Sequence, residues 1–354
     1  MASAGNYISE LPADNNDLNC VSELDRATTG VILPVRLQPG DTVGLVSSAY
    51  KATDEKIENA KKQIEALGLK VKLGESIFKS AKKNFPKTND ERDFAGTEEE
   101  RAKDLNDMFK DPSMKAIFEV RGGYGSGGIL ELLDYELIKN NPKIIIGFSD
   151  TTSLLLAIHS KTGLITFYGP MGGAYSPWPE FTADNMKKVL FDAERVTFSN
   201  PSENRIRTIN TGIANGRLIG GNFATLNAMI GSDYLPKWDG AILFLEDIEE
   251  NCRRLDRMML QLKRAGVLDK ISGFIFGSCV DCCPKQEFDA VLDEYIKPLG
   301  IPAYSGAMIG HMSKMFTLPV GAMVKIDADQ GAITMIEDAT IEPRGQDIGV
   351  RSEL

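Results

Sequence analysis

From Lys143 to Leu156 the chain reads Lys-Ile-Ile-Ile-Gly-Phe-Ser-Asp-Thr-Thr-Ser-Leu-Leu-Leu, and no other stretch restricts the fold as strongly. The uninterrupted apolar run Ile144 to Ile146 reads as a strand buried on both faces, as parallel strands under helical layers are. The polar Ser-Asp-Thr-Thr after Gly147 reads as the opening of a helix. Ser149 then falls on a tight strand-to-helix turn that pushes its hydroxyl out of the sheet. The backbone N–H of Asp150 falls at a helix N-terminus, where unpaired donors and the helix dipole favour negative charge. This geometry suits a serine nucleophile. It suits an N-cap equally, since Ser, Asp and Thr are the usual capping residues.

The stretch also departs from the Gly-x-Ser-x-Gly nucleophile elbow, because Thr151 occupies the place of the last glycine. The surrounding pattern is more decisive for the fold. Thr42–Ser48 reads as a buried strand, Asp54–Leu67 as an amphipathic helix ending at Gly68, and Leu69–Leu73 as a second strand. Lys79–Lys87 reads as a solvated loop, and Thr97 with Glu100 forms a capping box for a helix to about Lys110. Lys115–Val120 is the next strand, followed by a short helix over Ile129–Leu133, and the helix after Ser149 runs to about Lys161 before Gly163. Strands alternating with helices imply an α/β fold, a mostly parallel sheet flanked by helices.

The expected organisation is an irregular extension over residues 1–35 and a nucleophile-bearing α/β domain over 36–170. A proline-punctuated linker over 171–212, with one helix at Ala183–Leu190, leads to a second α/β domain over 213–354. In that last part Phe223–Ile230, Asn251–Ala265 and Phe288–Ile296 read as helices, and Gly240–Leu245 and Ile271–Phe276 as strands. Val324–Asp327 and Ala332–Ile336 read as a closing hairpin.

Composition narrows the function. With Lys+Arg 40 against Asp+Glu 50 the net charge is −10, and no basic cluster interleaved with aromatics stands out, which argues against a nucleic-acid partner. No apolar run reaches the roughly 18 to 20 residues of a membrane span, and the N-terminus lacks the basic and apolar regions of a signal peptide, so a cytoplasmic chain is expected. Five cysteines, Cys20, Cys252, Cys279, Cys282 and Cys283, do not look like a disulfide framework. The Cys-x-x-Cys-Cys cluster has no second Cys/His pair at ligand spacing, so no metal site is expected. The loop Arg121-Gly-Gly-Tyr-Gly-Ser-Gly-Gly128 can present N–H groups to an anion, but it matches neither the dinucleotide fingerprint nor a P-loop.

The chain has two histidines. If an imidazole activates Ser149, it is His159 or His311. His159 lies ten residues along the same helix, roughly 15 Å away at about 1.5 Å per residue, and reads as a packed histidine of the last turn. His311, in a loop after Gly310, is left as the base, with a surface histidine as the bland alternative. An orienting carboxylate is available at Glu246 or Asp247, at the C-terminal end of a strongly apolar strand, where the catalytic groups of such sheets gather. Plain exit of these acids into solvent is the alternative reading.

Five segments in this order carry a family resemblance: Arg121-Gly-Gly-Tyr-Gly, Ile146-Gly-Phe-Ser-Asp, Gly216-Arg-Leu-Ile-Gly-Gly-Asn222, Leu243-Phe-Leu-Glu-Asp-Ile248, and Gly310-His with Thr317-Leu-Pro-Val-Gly321. Together they resemble the LD-carboxypeptidase family of serine peptidases, from about Asp41 to Ile336. The resemblance implies a Ser149, Glu246, His311 triad at the junction of two domains, a homodimer, no metal or organic cofactor, and a peptidoglycan-derived peptide as substrate. It implies cleavage of the L,D-bond that releases terminal D-alanine from murein tetrapeptides. A sister group hydrolyses peptide-nucleotide antibiotics of the microcin C type, and a non-catalytic binding or sensor protein is a third reading. The oxyanion hole is expected from the Asp150 N–H with an N–H of Gly122 or Gly123. Arg121 and Arg217 are the candidate cations for the terminal carboxylate.

Overall fold

The isoleucine run lies inside the first of two large sheets, in a computed structural model that describes residues 30–84 and 91–343. The described residues from Val31 onward form one compact unit. Its first half contains β1 (Thr42–Val46), α1 (Asp54–Glu65), β2 (Lys70–Leu73), β3 (Ala81–Asn84), β4 (Glu91–Phe94), α2 (Glu98–Lys110) and β5 (Met114–Glu119). It continues through α3 (Tyr135–Asn140), β6 (Ile144–Gly147), α4 (Thr152–Thr162) and β7 (Thr166–Tyr168). Then follow α5 (Glu180–Leu190), β8 (Thr197–Ser199), β9 (Arg207–Asn210), β10 (Ile213–Asn222), α6 (Phe223–Ala228), β11 (Ile242–Ile248) and α7 (Cys252–Arg264). The chain closes with β12 (Gly273–Val280), α8 (Lys285–Ile296), β13 (Ala303–Ser305), β14 (Leu318–Val320), β15 (Met323–Asp327) and β16 (Ala332–Met335).

The first sheet has the order β14-β7-β6-β5-β1-β2, parallel except for β14 against β7. The second has the order β8-β16-β15-β10-β11-β12-β13-β9. Its β10 to β13 block is parallel, and its remaining strands pair antiparallel. Residues 171–212, expected as a linker, carry α5 and contribute β8 and β9 to the edges of the second sheet, while β14, from late in the chain, returns to the first.

Helix α4 explains how the two sheets meet. Every residue from Thr152 to His159 is buried, the pattern of a helix without a solvent face. It packs on β6, β7 and β14 of the first sheet and on β10 and α6 of the second half. Contact with β10 requires Gly221, whose φ is +147° and where a Cβ would run into the Thr152 side chain. The Asn222 N–H then donates to Thr152 Oγ1 at 2.9 Å. One apolar helix is thus the shared wall of both halves, and it follows directly on the 3-10 turn Ser149–Thr151 that carries the serine.

Several expectations change. The segment Lys79–Lys87, read as a loop, contains β3, which pairs antiparallel with β4, while residues 85–90 lie outside the described residues. The helix expected over Ile129–Leu133 is a 3-10 helix over Ser126–Leu132 with Leu133 as its extended C-cap, and α3 has no counterpart in the sequence analysis. The capping box of α2 is present, with Thr97 and Glu100 bonded reciprocally. Most of the expected 1–35 extension lies outside the described residues, although Ile32 and Val35 bridge to Leu164 and Ile341.

The cysteines are corrected outright. Cys252 is joined to Cys283 and Cys279 to Cys282. The parallel pairing of β11 with β12 sets Asp247 opposite Cys279, so the start of α7 and the end of β12 meet in space, which linear spacing does not reveal. Cys20 lies outside the described residues. Among the described residues no cluster of His, Cys, Asp or Glu suits a metal ion, and no helix is long and apolar enough to cross a membrane.

Candidate active site

Ser149 sits where β6 gives way to α4, with φ at +61°, a region that costs energy for any residue with a Cβ. Its Oγ lies 3.0 Å from Nε2 of His311, and Nδ1 of His311 lies 2.8 Å from Oε2 of Glu246. The three residues come from separate elements. Ser149 follows β6, Glu246 is in β11, and His311 is in the loop between β13 and β14. That loop is fastened to β12, because the N–H and Oγ of Ser278 both donate to the Ile309 carbonyl at 3.1 and 2.8 Å. Phe148 meets the His311 ring edge to face at 5.1 Å between centroids and limits its tilt.

Glu246 is completely buried, and four donors meet its carboxylate. Oε1 accepts from the Tyr168 hydroxyl at 2.6 Å and from Asn222 Nδ2 at 3.2 Å. Oε2 accepts from the His311 N–H at 3.2 Å and faces Nδ1. A buried carboxylate needs such company. Burial alone would lower the basicity of His311, but the hydrogen bond and charge of Glu246, with Asp247 and Glu249 behind it, hold the imidazole above its usual value. The neighbouring Asp247 faces inward, accepting from Asn222 Nδ2, Ala224 N and Ile248 N, each at 2.9 Å. Burial and the charge of Glu246 push it up to about 6. Of the two acids at this strand end, only Glu246 is bonded to the imidazole.

The glycine loop belongs to the same site. A Cβ on Gly122 would lie 3.2 Å from Ser149 Oγ and 3.4 Å from Asp150 N, so this glycine backs directly onto the serine. The Asp150 side chain accepts from the Ser126 N–H at 2.8 Å and hydroxyl at 2.7 Å, tying the end of the loop to the serine turn. Burial raises the Asp150 carboxyl despite these bonds. Buried Arg101 holds the loop from the other side through the Gly125 carbonyl at 3.0 Å. Gly123 lines a cavity of about 680 Å³ beside Ser149, together with Asp150, Tyr124 and Asn222.

The structure does not bring every expected residue into this cavity. Arg217 donates to the Gly321 carbonyl at 2.8 Å and to Glu337 at 3.2 Å, away from the serine. Arg121 braces the loop, donating to the carbonyls of Gly122 and Lys51 at 3.1 and 3.2 Å. Among the described residues, the cations that line the cavity are Lys83 and Arg254. His159 is buried, its Nδ1 3.0 Å from the Leu164 carbonyl, and burial depresses its pKa. Sequence alone assigns no role to Tyr168 or Asn222: Asn222 ends the Gly216–Asn222 segment, and the one signal at Tyr168 is its position at the end of the strand beside β6.

A serine, an imidazole and a carboxylate hydrogen-bonded in series can move a proton from the alcohol to the imidazole while an attacked carbonyl becomes tetrahedral. Both halves of the chain resemble domains of known proteins. Residues 43–169 match the LD-carboxypeptidase N-terminal domain, and residues 215–326 the LD-carboxypeptidase C-terminal domain. The chain is 36% identical over 298 residues to a "Probable murein peptide carboxypeptidase" of Bacillus subtilis, covering 82% of this chain and 89% of that one. It is 33% identical over 342 residues to the Escherichia coli "Microcin C7 self-immunity protein MccF", covering 86% and 96%. A solved MccF structure in complex with adenosine monophosphate superposes with a TM-score of 0.77 at 30% identity, over 88% of this chain and all of that one. The muramoyltetrapeptide carboxypeptidase of Oxalobacter formigenes superposes with a TM-score of 0.70 at 25% identity, over 86% and 100%. With both domain models matched in order and relatives aligned over most of its length, the chain belongs to the LD-carboxypeptidase family of serine peptidases.

Proposed function

We propose that the protein is a serine carboxypeptidase that releases terminal D-alanine from murein tetrapeptides by cutting the L,D-peptide bond, as part of peptidoglycan recycling. The observation that carries this reading is the unbroken series Ser149 Oγ, His311 Nε2, His311 Nδ1, Glu246 Oε2, with spacings of 3.0 and 2.8 Å. Neutral His311 takes the Ser149 proton as the oxygen attacks the scissile carbonyl, and Glu246 holds the Nδ1–H tautomer and stabilises the imidazolium. The N–H of Asp150 with that of Gly122 or Gly123 receives the developing oxyanion, a kind of donor whose loss costs about 10²- to 10³-fold in kcat. His311 then returns the proton to the leaving amine, and water hydrolyses the acyl-enzyme by the same relay in reverse.

The cavity wall favours a muropeptide. It carries Glu98, Glu131 and Glu250 against Lys83 and Arg254, and Arg254 already pairs with Glu250 at 2.9 Å. Surplus negative charge beside the nucleophile suits the ammonium group of a diamino acid next to the scissile bond. Lys83 and Arg254 replace Arg121 and Arg217 as candidates for the terminal carboxylate. A second reading, a peptidase of peptide-nucleotide antibiotics, draws on the 33% identity to MccF. Incubation with both substrate types separates them. The muropeptide reading predicts D-alanine release without loss of antibiotic activity, and the reverse pattern would overturn it.

A further inference from the structure

Tyr168 closes β7 and is wholly buried. Its ring meets Phe148 and Phe244 edge to face, at 6.4 and 5.4 Å between centroids, which fixes where the hydroxyl points. There it touches both ends of the proposed relay. The Ser149 N–H lies 3.2 Å from the phenol oxygen, and Glu246 Oε1 lies 2.6 Å from it. An amide can only donate, so the phenol accepts from Ser149 and its single proton goes to the carboxylate. The shorter distance is that of a charge-assisted O–H···O⁻ bond.

We infer that Tyr168 is a positioning residue of the reaction, one hydroxyl fixing the backbone of the nucleophile and the rotation of the carboxylate that orients the base. The inference rests on the Ser149, His311, Glu246 reading. With Tyr168 and Asn222 on Oε1, Glu246 has Oε2 left for the N–H and Nδ1 of His311, so the carboxylate cannot turn without breaking bonds on both oxygens. With its N–H committed to Tyr168, Ser149 is held in its left-handed conformation, and oxyanion binding falls to the Asp150 and glycine-loop amides. Burial, then the charge of Glu246 and the bond to it, push the phenol well above its ordinary pKa, so the hydroxyl keeps its proton. Removing that donor concentrates negative charge on Glu246 and makes the attached imidazole more basic.

The test is Tyr168→Phe in the full chain, beside Ser149→Ala, assayed by D-alanine release from murein tetrapeptide. We expect kcat to fall about 10- to 100-fold, the effect of losing a hydrogen bond to a charged group, with KM within about threefold. The acid limb of kcat/KM should move upward by about half a pH unit to one unit. Because the chain has two histidines, NMR titration of labelled imidazoles reads the same shift on His311 without substrate. Site-specific 3-fluorotyrosine at position 168 keeps both bonds and makes the phenol a stronger donor, so it should move the limb downward and serves if the phenylalanine variant does not fold. An unmoved limb in these proteins, or loss of thermal stability alone, overturns the assignment while an inactive Ser149→Ala leaves the triad reading standing. Turnover by Ser149→Ala would instead remove the triad reading itself.

Discussion

His311 and Glu246 are joined twice, through the imidazole Nδ1 at 2.8 Å and the backbone N–H at 3.2 Å, both on the same carboxylate oxygen. The double contact requires a backbone that passes directly over the carboxylate. Gly310 supplies it, with φ at +94° and no Cβ, where a methyl group would overlap the Glu246 carboxyl.

Gly310→Ala is therefore expected to cost at least about 100-fold in kcat/KM, with strain of roughly 1–3 kcal/mol in the folded state. Steady-state kinetics with circular dichroism as a control for folding measures this. Activity within a few-fold of wild type would show that the His311 to Glu246 geometry is not what the reaction needs.

The pH profile follows from the same pair. Protonated His311 cannot accept the Ser149 proton, and its pKa is held above the ordinary 6.5, so kcat/KM should fall as pH drops through a value above 6.5. Stability responds with the opposite sense. The folded state holds the His311 proton more tightly than the unfolded chain, so this contribution is complete below about pH 6.5 and is lost as pH rises through the folded pKa. Activity that stays flat down to pH 5 would contradict the assignment of the base.

Glu119 gives a separate stability prediction. It is fully buried at the end of β5, accepting from both the N–H and the hydroxyl of Ser48, and burial pushes it up to about 7. Between the unfolded value of 4.5 and 7 the folded state keeps a proton that the unfolded chain has released, so rising pH destabilises the fold by ~3 kcal/mol through this group. Urea unfolding at pH 4.5 and 8 should show that loss reduced in Glu119→Gln. An equal loss in both proteins would mean that the buried carboxyl does not control it.

The two disulfides are open to direct counting. Alkylation of the denatured, unreduced chain should modify one of the five cysteines, Cys20, and all five after reduction. The Cys252–Cys283 bond closes a separation of 31 residues, and its removal is expected to cost about 2–4 kcal/mol in chemical denaturation. Five reactive thiols before reduction would refute the pairing.

Much of this architecture was legible because local chemistry and tertiary role coincide. Ile144–Ile146 could be assigned to a doubly covered strand from their apolarity alone, Thr97 and Glu100 announced a helix start, and the scarcity of histidines pointed to His311. Contacts between distant segments were less visible. Nothing in the spacing of Cys252 and Cys283 shows that parallel β11 and β12 bring them together. Lys82 and Lys83 read as a loop because a two-stranded ribbon of charged residues has no apolar period. Arg217 looked available because sequence carries no sign of Glu337 as its partner. Tyr168 reads as one more aromatic at a strand end until the fold sets its hydroxyl between Ser149 and Glu246.

Mass spectrometry of murein tetrapeptide digests, with wild type and Ser149→Ala side by side, tests whether the Ser149 hydroxyl is the nucleophile. Wild type is expected to convert tetrapeptide to tripeptide plus D-alanine, and folded Ser149→Ala to do so at a rate lower by about 10⁴-fold or more. Conversion by Ser149→Ala at a rate near that of wild type would contradict that role for the hydroxyl.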